Sequence, residues 1–151
     1  MIIRKWTEDD LKDIITLLHQ LNETLEEGQE LKEETIKQHF KEMEDNKDIY
    51  ENYVIIDKDK VVGYMSLFFY RSLYHKEGTA QINELIIDKE YRNKGYGKEL
   101  LEFGVQRAED RNMDEIEIGV EKSNNKALEF YKRNGIEEEY LLLGKELKSK
   151  I

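Results

Sequence analysis

The sequence predicts an α+β fold: a mixed, mostly antiparallel sheet of about six to seven strands, with helices on both faces. Three observations predict it. Strand-like runs follow one another at 52–57, 61–70 and 80–87, with only turn residues between them. These three runs are flanked by strand-like runs reached through helical segments. The chain has 151 residues, 38% of them hydrophobic, which suits one domain spanning 1–151 with a real core.

Each element has its own signal. Residues 2–6 read as a short strand. Thr7 is placed to cap a helix whose first turn holds Asp9 and Asp10, where the helix dipole favours acids. Leu11, Ile14, Ile15 and Leu18 follow at helical spacing. Gly28 breaks the pattern, and a second helix is expected from about Lys32 to Met43, with Ile36 and Phe40 on one face. Asp57–Lys60 turns the 52–57 strand into 61–70, and Gly78 marks the turn before 80–87. The loop Arg92–Gly97 opens a long helix with Leu100, Leu101, Val105 and Ala108 on its apolar side. A strand at 115–120, a helix from Asn124 to Asn134 stopped by Gly135, and a last strand at 138–147 complete the chain.

Composition narrows the partners. The absence of cysteine excludes disulfides, thiolate metal sites and a cysteine nucleophile, and suits a cytoplasmic setting. The three histidines are too scattered for a metal site, so none is expected. No apolar run is long enough for a signal peptide or a membrane span. A formal net charge of −10 argues against nucleic acid, and is compatible either with a cationic partner or with solubility alone.

The chemistry concentrates in Ile86-Ile87-Asp88-Lys89-Glu90-Tyr91-Arg92-Asn93-Lys94-Gly95-Tyr96-Gly97-Lys98. A strand ends, a short loop follows, and a helix starts on two glycines. The first turn of a helix offers N–H groups without internal partners, and the dipole adds positive potential. Gly95 and Gly97 have no side chain to hold a phosphate away, and Arg92 and Lys94 add charge. A dinucleotide fingerprint would need a third glycine where Leu100 stands. A P-loop would need Ser or Thr after Lys98, where Glu99 stands. A diphosphate cradle of another kind, or a helix start packed closely on its strand, remains.

At these residues the chain resembles the GNAT superfamily of N-acetyltransferases. Its acetyl-CoA motif, Arg/Gln-x-x-Gly-x-Gly/Ala, is met in full by Arg92-Asn93-Lys94-Gly95-Tyr96-Gly97. Its later motif, Asn-x-x-Ala-x-x-x-Tyr-x-x-x-Gly-Phe, is met from Asn124 through Ala127, Tyr131 and Gly135, with Ile136 in place of phenylalanine. The resemblance covers the whole chain in element order.

The resemblance implies acetyl-CoA as cosubstrate, no metal, and transfer of acetyl to a primary amine. It implies that N–H groups of Arg92, Asn93, Lys94, Gly95, Tyr96, Gly97 and Lys98 bind the diphosphate. It implies that the backbone of Leu85, Ile86 and Ile87 pairs with the pantetheine arm, while their side chains serve the core. Asn124 would cap its helix and contact the cofactor, and Tyr131 would protonate the departing thiolate. Glu84 is then the in-strand acid left to deprotonate the amine, since the other positions the family uses hold Gln81 and Gly119. Plain structural roles stand beside these: a helix tyrosine packed on the sheet for Tyr131, and a solvated or salt-bridged strand glutamate for Glu84.

The acceptor cleft of the resembled family is lined by the first two helices and the third and fourth strands. Residues 21–45 carry nine acids against three lysines, which either steer a cationic amine or form a solvated helix face. Phe68, Phe69, Tyr70, Arg71 and Tyr74 cluster on the third strand and its turn, and alternation sends about half of them to the core. A small-molecule or peptide amine is expected as acceptor, with a small cationic amine favoured. A homodimer through the exposed edge of the last strand is a further expectation. The alternatives are a catalytically silent acyl-CoA-binding sensor or complex module, and a nucleotide-binding protein.

Overall fold

The computed structural model describes residues 1–148 and divides into two compact units, Met1–Ile118 and a second starting at Gly119. The first unit runs β1 (Ile2–Lys5), α1 (Leu11–Asn22), α2 (Glu33–Glu44), β2 (Tyr50–Asp57), β3 (Lys60–Tyr70), β4 (Thr79–Ile87), α3 (Tyr96–Asp110) and β5 (Glu115–Ile118). The strands form one five-stranded sheet in the order β1-β2-β3-β4-β5. The first three pairings are antiparallel and β4–β5 is parallel. The parallel pair is possible because α3 carries the chain back between β4 and β5.

Helices cover both faces of this sheet. Tyr64 belongs to a core with Trp6, Leu11, Ile14, Leu17, Val54 and Ile86, against which Ile36 and Phe40 of α2 also pack. Its neighbour Met65 points the other way, where its sulfur lies 3.0 Å from the Cβ position of Gly104 in α3. A methyl group at Gly104 would require the end of the Met65 side chain to shift by a few tenths of an ångström. The α1 face follows the sequence periodicity, with Leu11, Ile14 and Leu17 buried. The start of α1 is held by Asp10, which accepts the Thr7 N–H at 2.7 Å and pairs with Arg4 of β1 at 2.7 Å. The end of α2 is held by Trp6, whose Nε1 donates to Glu44 at 2.6 Å.

Under α3 lies a buried carboxylate, Glu51 of β2, 6% exposed. Arg107 donates to it from Nε at 2.8 Å, Arg111 from Nη1 at 2.9 Å, and Tyr53 from its hydroxyl. Burial alone would raise the Glu51 pKa. The hydrogen bonds from Arg107, Tyr53 and Arg111 outweigh it and hold the carboxyl down to about 2.

The second unit contains α4 (Asn125–Arg133). Asn124 caps it, its side chain accepting the Ala127 N–H at 3.2 Å. At the other end Gly135 takes φ +94°. Its N–H reaches Lys132 O at 3.2 Å while the Ile136 N–H reaches Tyr131 O at 2.9 Å, a paired closure that needs a left-handed residue.

Two expectations need correction. Among the described residues the sheet has five strands, not six to seven, and β5 ends at Ile118 rather than 120. The last strand expected at 138–147 is absent: that segment is irregular, with Leu141, Leu142 and Leu143 exposed. An apolar run reports strand propensity, but a strand exists only where a partner backbone meets it. The dimer contact expected through that strand's edge therefore has no strand to rest on among the described residues. No helix among the described residues is long and apolar enough to cross a membrane.

Candidate active site

The site begins with an interruption in the sheet. β4 pairs with β5 only from Thr79↔Glu115 to Ile82↔Ile118. On the β3 side, Leu67 faces Ile82 but the next partners are Ser66 and Glu84, so Asn83 is an extra residue, a bulge in β4. Beyond it, Leu85–Ile87 continues along β3 with no strand on its other side among the described residues. The Asp88 N–H donates to Val62 O at 2.8 Å, toward β3. Backbone groups alternate along a strand, so Ile86 also faces β3, and Leu85 and Ile87 present theirs to the open edge. Arg92 confirms the direction for Ile87, its Nε donating to Ile87 O at 3.0 Å.

The loop after β4 is ordered by its own polar groups. Asp88 accepts the Glu90 N–H at 3.0 Å and closes a turn over Lys89–Tyr91. Arg92 is extended, Asn93 takes φ +63° and Gly95 φ +89°. Gly95 is the N-cap residue of α3 and provides no side-chain cap, so the first-turn N–H groups of the helix keep their capacity to bind an anion. Nothing lies within 4 Å of a Cβ built on Gly95, so the cradle is open space in front of the helix. Residues Arg92–Gly95 and Lys98 are exposed, while Tyr96 and Gly97 are half-buried. Tyr96 donates to Asp57 at 2.7 Å, tying the first turn of α3 to the end of β2. Lys94 rests over the Tyr91 ring at 5.0 Å and Lys98 pairs with Glu102 at 3.7 Å.

Glu84 stands just before the open edge, half-buried on the α1–α2 side of the sheet. Its carboxylate accepts the Ser66 hydroxyl, and its own N–H donates to Ser66 Oγ at 3.1 Å. Burial raises its pKa, against the lowering effect of Ser66 and of His39 on α2. Tyr64, fully buried, donates to Asn52 at 2.8 Å, and burial together with the charge of Glu84 raises its phenol. Ser66, His39, Tyr64 and Asn52 were not legible as site residues. The one sequence signal was a serine inside the otherwise apolar run 61–70.

The aromatic cluster divides as alternation requires. Phe69 is buried on the α3 side, where Arg111 lies 3.8 Å over its ring. Phe68 and Tyr70 are half-buried on the opposite face, and Tyr74 is fully exposed in the turn. The acidic stretch is partly structural, since Glu44 anchors Trp6. In the second unit, Tyr131 is buried beside Phe130, ring centroids 5.2 Å apart, and burial raises its phenol pKa to about 12. Among the described residues no cluster of three or more metal-ligating side chains occurs.

Comparison with known proteins bears on this arrangement. An uncharacterized N-acetyltransferase of Methanocaldococcus jannaschii is 29% identical over 144 residues, covering 94% of this chain, and this chain spans 63% of its length. An uncharacterized N-acetyltransferase of Archaeoglobus fulgidus is 27% identical over 134 residues, covering 87% of this chain and 89% of its own. Among solved structures, a transcriptional regulator from Bacillus halodurans superposes with a TM-score of 0.84 at 25% identity, over 97% of this chain and 99% of its own. The acetyltransferase (GNAT) family pattern itself matches residues 13–136, a span holding both the open strand edge and the glycine-started helix, and the chain belongs to that family.

Proposed function

We propose that the protein transfers acetyl from acetyl-CoA to the primary amine of a small cationic acceptor. The observation that carries this reading is the open edge of β4 at Leu85–Ile87, lying directly before the uncapped start of α3. Such an edge accepts an extended amide-bearing arm as an added strand, and the helix start accepts its diphosphate.

Acetyl-CoA supplies the acetyl group as a thioester. The residues 92–98 hold the diphosphate through backbone N–H groups, with Arg92 and Lys94 adding charge. The Leu85 and Ile87 backbone aligns the pantetheine arm, and one N–H of that edge polarises the carbonyl. The amine nitrogen bonds to the carbonyl carbon, the carbon–sulfur bond breaks, the amine proton passes to Glu84, and the thiolate takes a proton from Tyr131. Glu84 suits the base because burial raises its pKa and so improves its basicity. Tyr131 suits the acid because its phenol, at about 12, is protonated at any working pH. Asn124 contributes by capping the helix that carries Tyr131. The net charge of −10 and the acidic segment 21–45 favour a cationic acceptor through the field.

The test is release of free thiol from acetyl-CoA by the purified protein against a panel of amines and lysine peptides. Amine-dependent thiol release is expected. Saturable coenzyme A binding with no release for any amine would leave a silent binding module instead.

A further inference from the structure

The face of the sheet that carries Glu84 continues past the covered core. Cross-strand partners share a face, so Tyr50↔Phe68, Phe68↔Gln81 and Gln81↔Glu117 form one row from β2 to β5, beside Ser66↔Glu84. In this row Tyr50 and Phe68 have ring centroids 5.6 Å apart, and Phe68 stacks on Tyr70 at 5.5 Å. All three rings are half-buried. The Tyr70 hydroxyl crosses β4 to donate to Glu117. The aromatic patch is thus bounded by two carboxylates, Glu84 and Glu117, each held by a neutral hydroxyl. Among the described residues neither forms an ion pair with lysine or arginine. The neighbouring Glu115 is different, since His75 lies 3.2 Å from it and Thr79 donates to it at 3.1 Å. Glu117 lies opposite Gln81, and across the Asn83 bulge Gln81 and Glu84 pair with Phe68 and Ser66, two residues apart on β3, which sets the two carboxylate positions about 7 Å apart along the strand.

Resting on the acetyl-transfer reading above, we infer that the acceptor is an aliphatic diamine or polyamine, whose reacting amine faces Glu84 while its distal ammonium is held by Glu117 over the Phe68–Tyr70 pair. The chemistry recognises both parts of such a molecule. The ammonium donates a charge-assisted hydrogen bond to a carboxylate already fixed by Tyr70, and gains cation–π attraction from the rings. The methylene chain lies on Phe68, whose exposed edge would otherwise face water. A monoamine of the same length satisfies only the Glu84 end.

The experiment compares thiol release for 1,5-diaminopentane, the matched n-pentylamine and a lysine peptide, with wild type, Glu117→Gln and Tyr70→Phe. In wild type, kcat/KM for the diamine is expected to exceed that of the monoamine by about tenfold or more. Glu117→Gln is expected to collapse that ratio toward one, and Tyr70→Phe to reduce it. Coenzyme A affinity, read on each variant, checks that it is folded. Equal rates on diamine and monoamine in wild type, a preference for the lysine peptide, or a ratio untouched in folded Glu117→Gln overturns this inference alone. Thiol release with no amine at all overturns the transferase reading, and this inference with it.

Discussion

Ser66 and Glu84 hold each other twice across the β3–β4 pair: the serine hydroxyl donates to the glutamate carboxylate, and the glutamate N–H donates back to the serine oxygen at 3.1 Å. The serine thereby favours the charged carboxylate that burial disfavours. If Glu84 accepts the amine proton, it must be ionised, so activity falls as pH drops through its raised pKa. Ser66→Ala removes a lowering influence and is expected to move that acid limb to higher pH. His39, the other lowering group, and the buried Tyr64 remain in place. Glu84→Gln is expected to lose roughly 10²-fold in turnover, recoverable in part at high pH where the free amine is abundant. Profiles of kcat/KM against pH for the three proteins check this, and coincident curves would return Glu84 to a structural part.

Gly95 tests the cradle. Its φ of +89° disfavours any side chain, and the space in front of it is empty. Gly95→Ala is expected to cost about 1 kcal/mol in stability from backbone conformation. Gly95→Glu adds a carboxylate where phosphate is proposed to sit, and coenzyme A affinity is expected to fall by roughly two orders of magnitude. Calorimetric titration measures it, and unchanged affinity in the folded variant removes the cradle.

Tyr131→Phe deletes one hydroxyl from a buried ring. With the proton donor gone, turnover is expected to fall by about 10²-fold while coenzyme A affinity changes far less. Steady-state kinetics beside equilibrium binding separate the two, and turnover equal to wild type would leave Tyr131 a packing residue.

Glu51 governs acid stability. Its folded pKa, about 2, lies below the ordinary 4.5. A depressed carboxylate contributes stability above its unfolded value and loses it as pH falls, here from about 4.5 toward 2. Glu51→Gln also leaves Arg107 with Asp110 as its carboxylate partner and takes the Glu51 charge from Arg111, and is expected to cost about 1–3 kcal/mol at neutral pH. Its stability should then depend less on pH across that acid window. Denaturant midpoints at pH 7, 4 and 3 provide the comparison.

The parts legible in the sequence were those encoded locally. Leu11, Ile14, Ile15 and Leu18 announce α1 by spacing, although it is Leu17 that is buried with Leu11 and Ile14, and Gly95 announces the start of α3 because a left-handed residue is needed where a loop becomes a helix. Asn124 and Gly135 bracket α4 for the same kind of reason. What was not legible depends on pairing between distant segments. Nothing in the order of residues says that Ser66 meets Glu84, because that register follows a bulge whose position is set by both strands. Glu51 reads as an ordinary strand acid until Arg107 and Arg111 arrive from a helix more than fifty residues later. Leu141–Leu143 misled in the opposite direction, a strand-like run without a partner.

The single surplus residue in β4 sets a parity. Strand side chains alternate, so every position after Asn83 sits on the opposite side from where an uninterrupted count would put it. Were Asn83 paired in register rather than bulged, Glu84 would turn toward the apolar layer under α3 and Leu85 would come to the wet side in its place. The same in-register pairing of Asn83 would reverse which backbone groups look outward. Acid placement and edge polarity are therefore slaved to one integer, and no substitution that preserves chain length can retune one by register without the other.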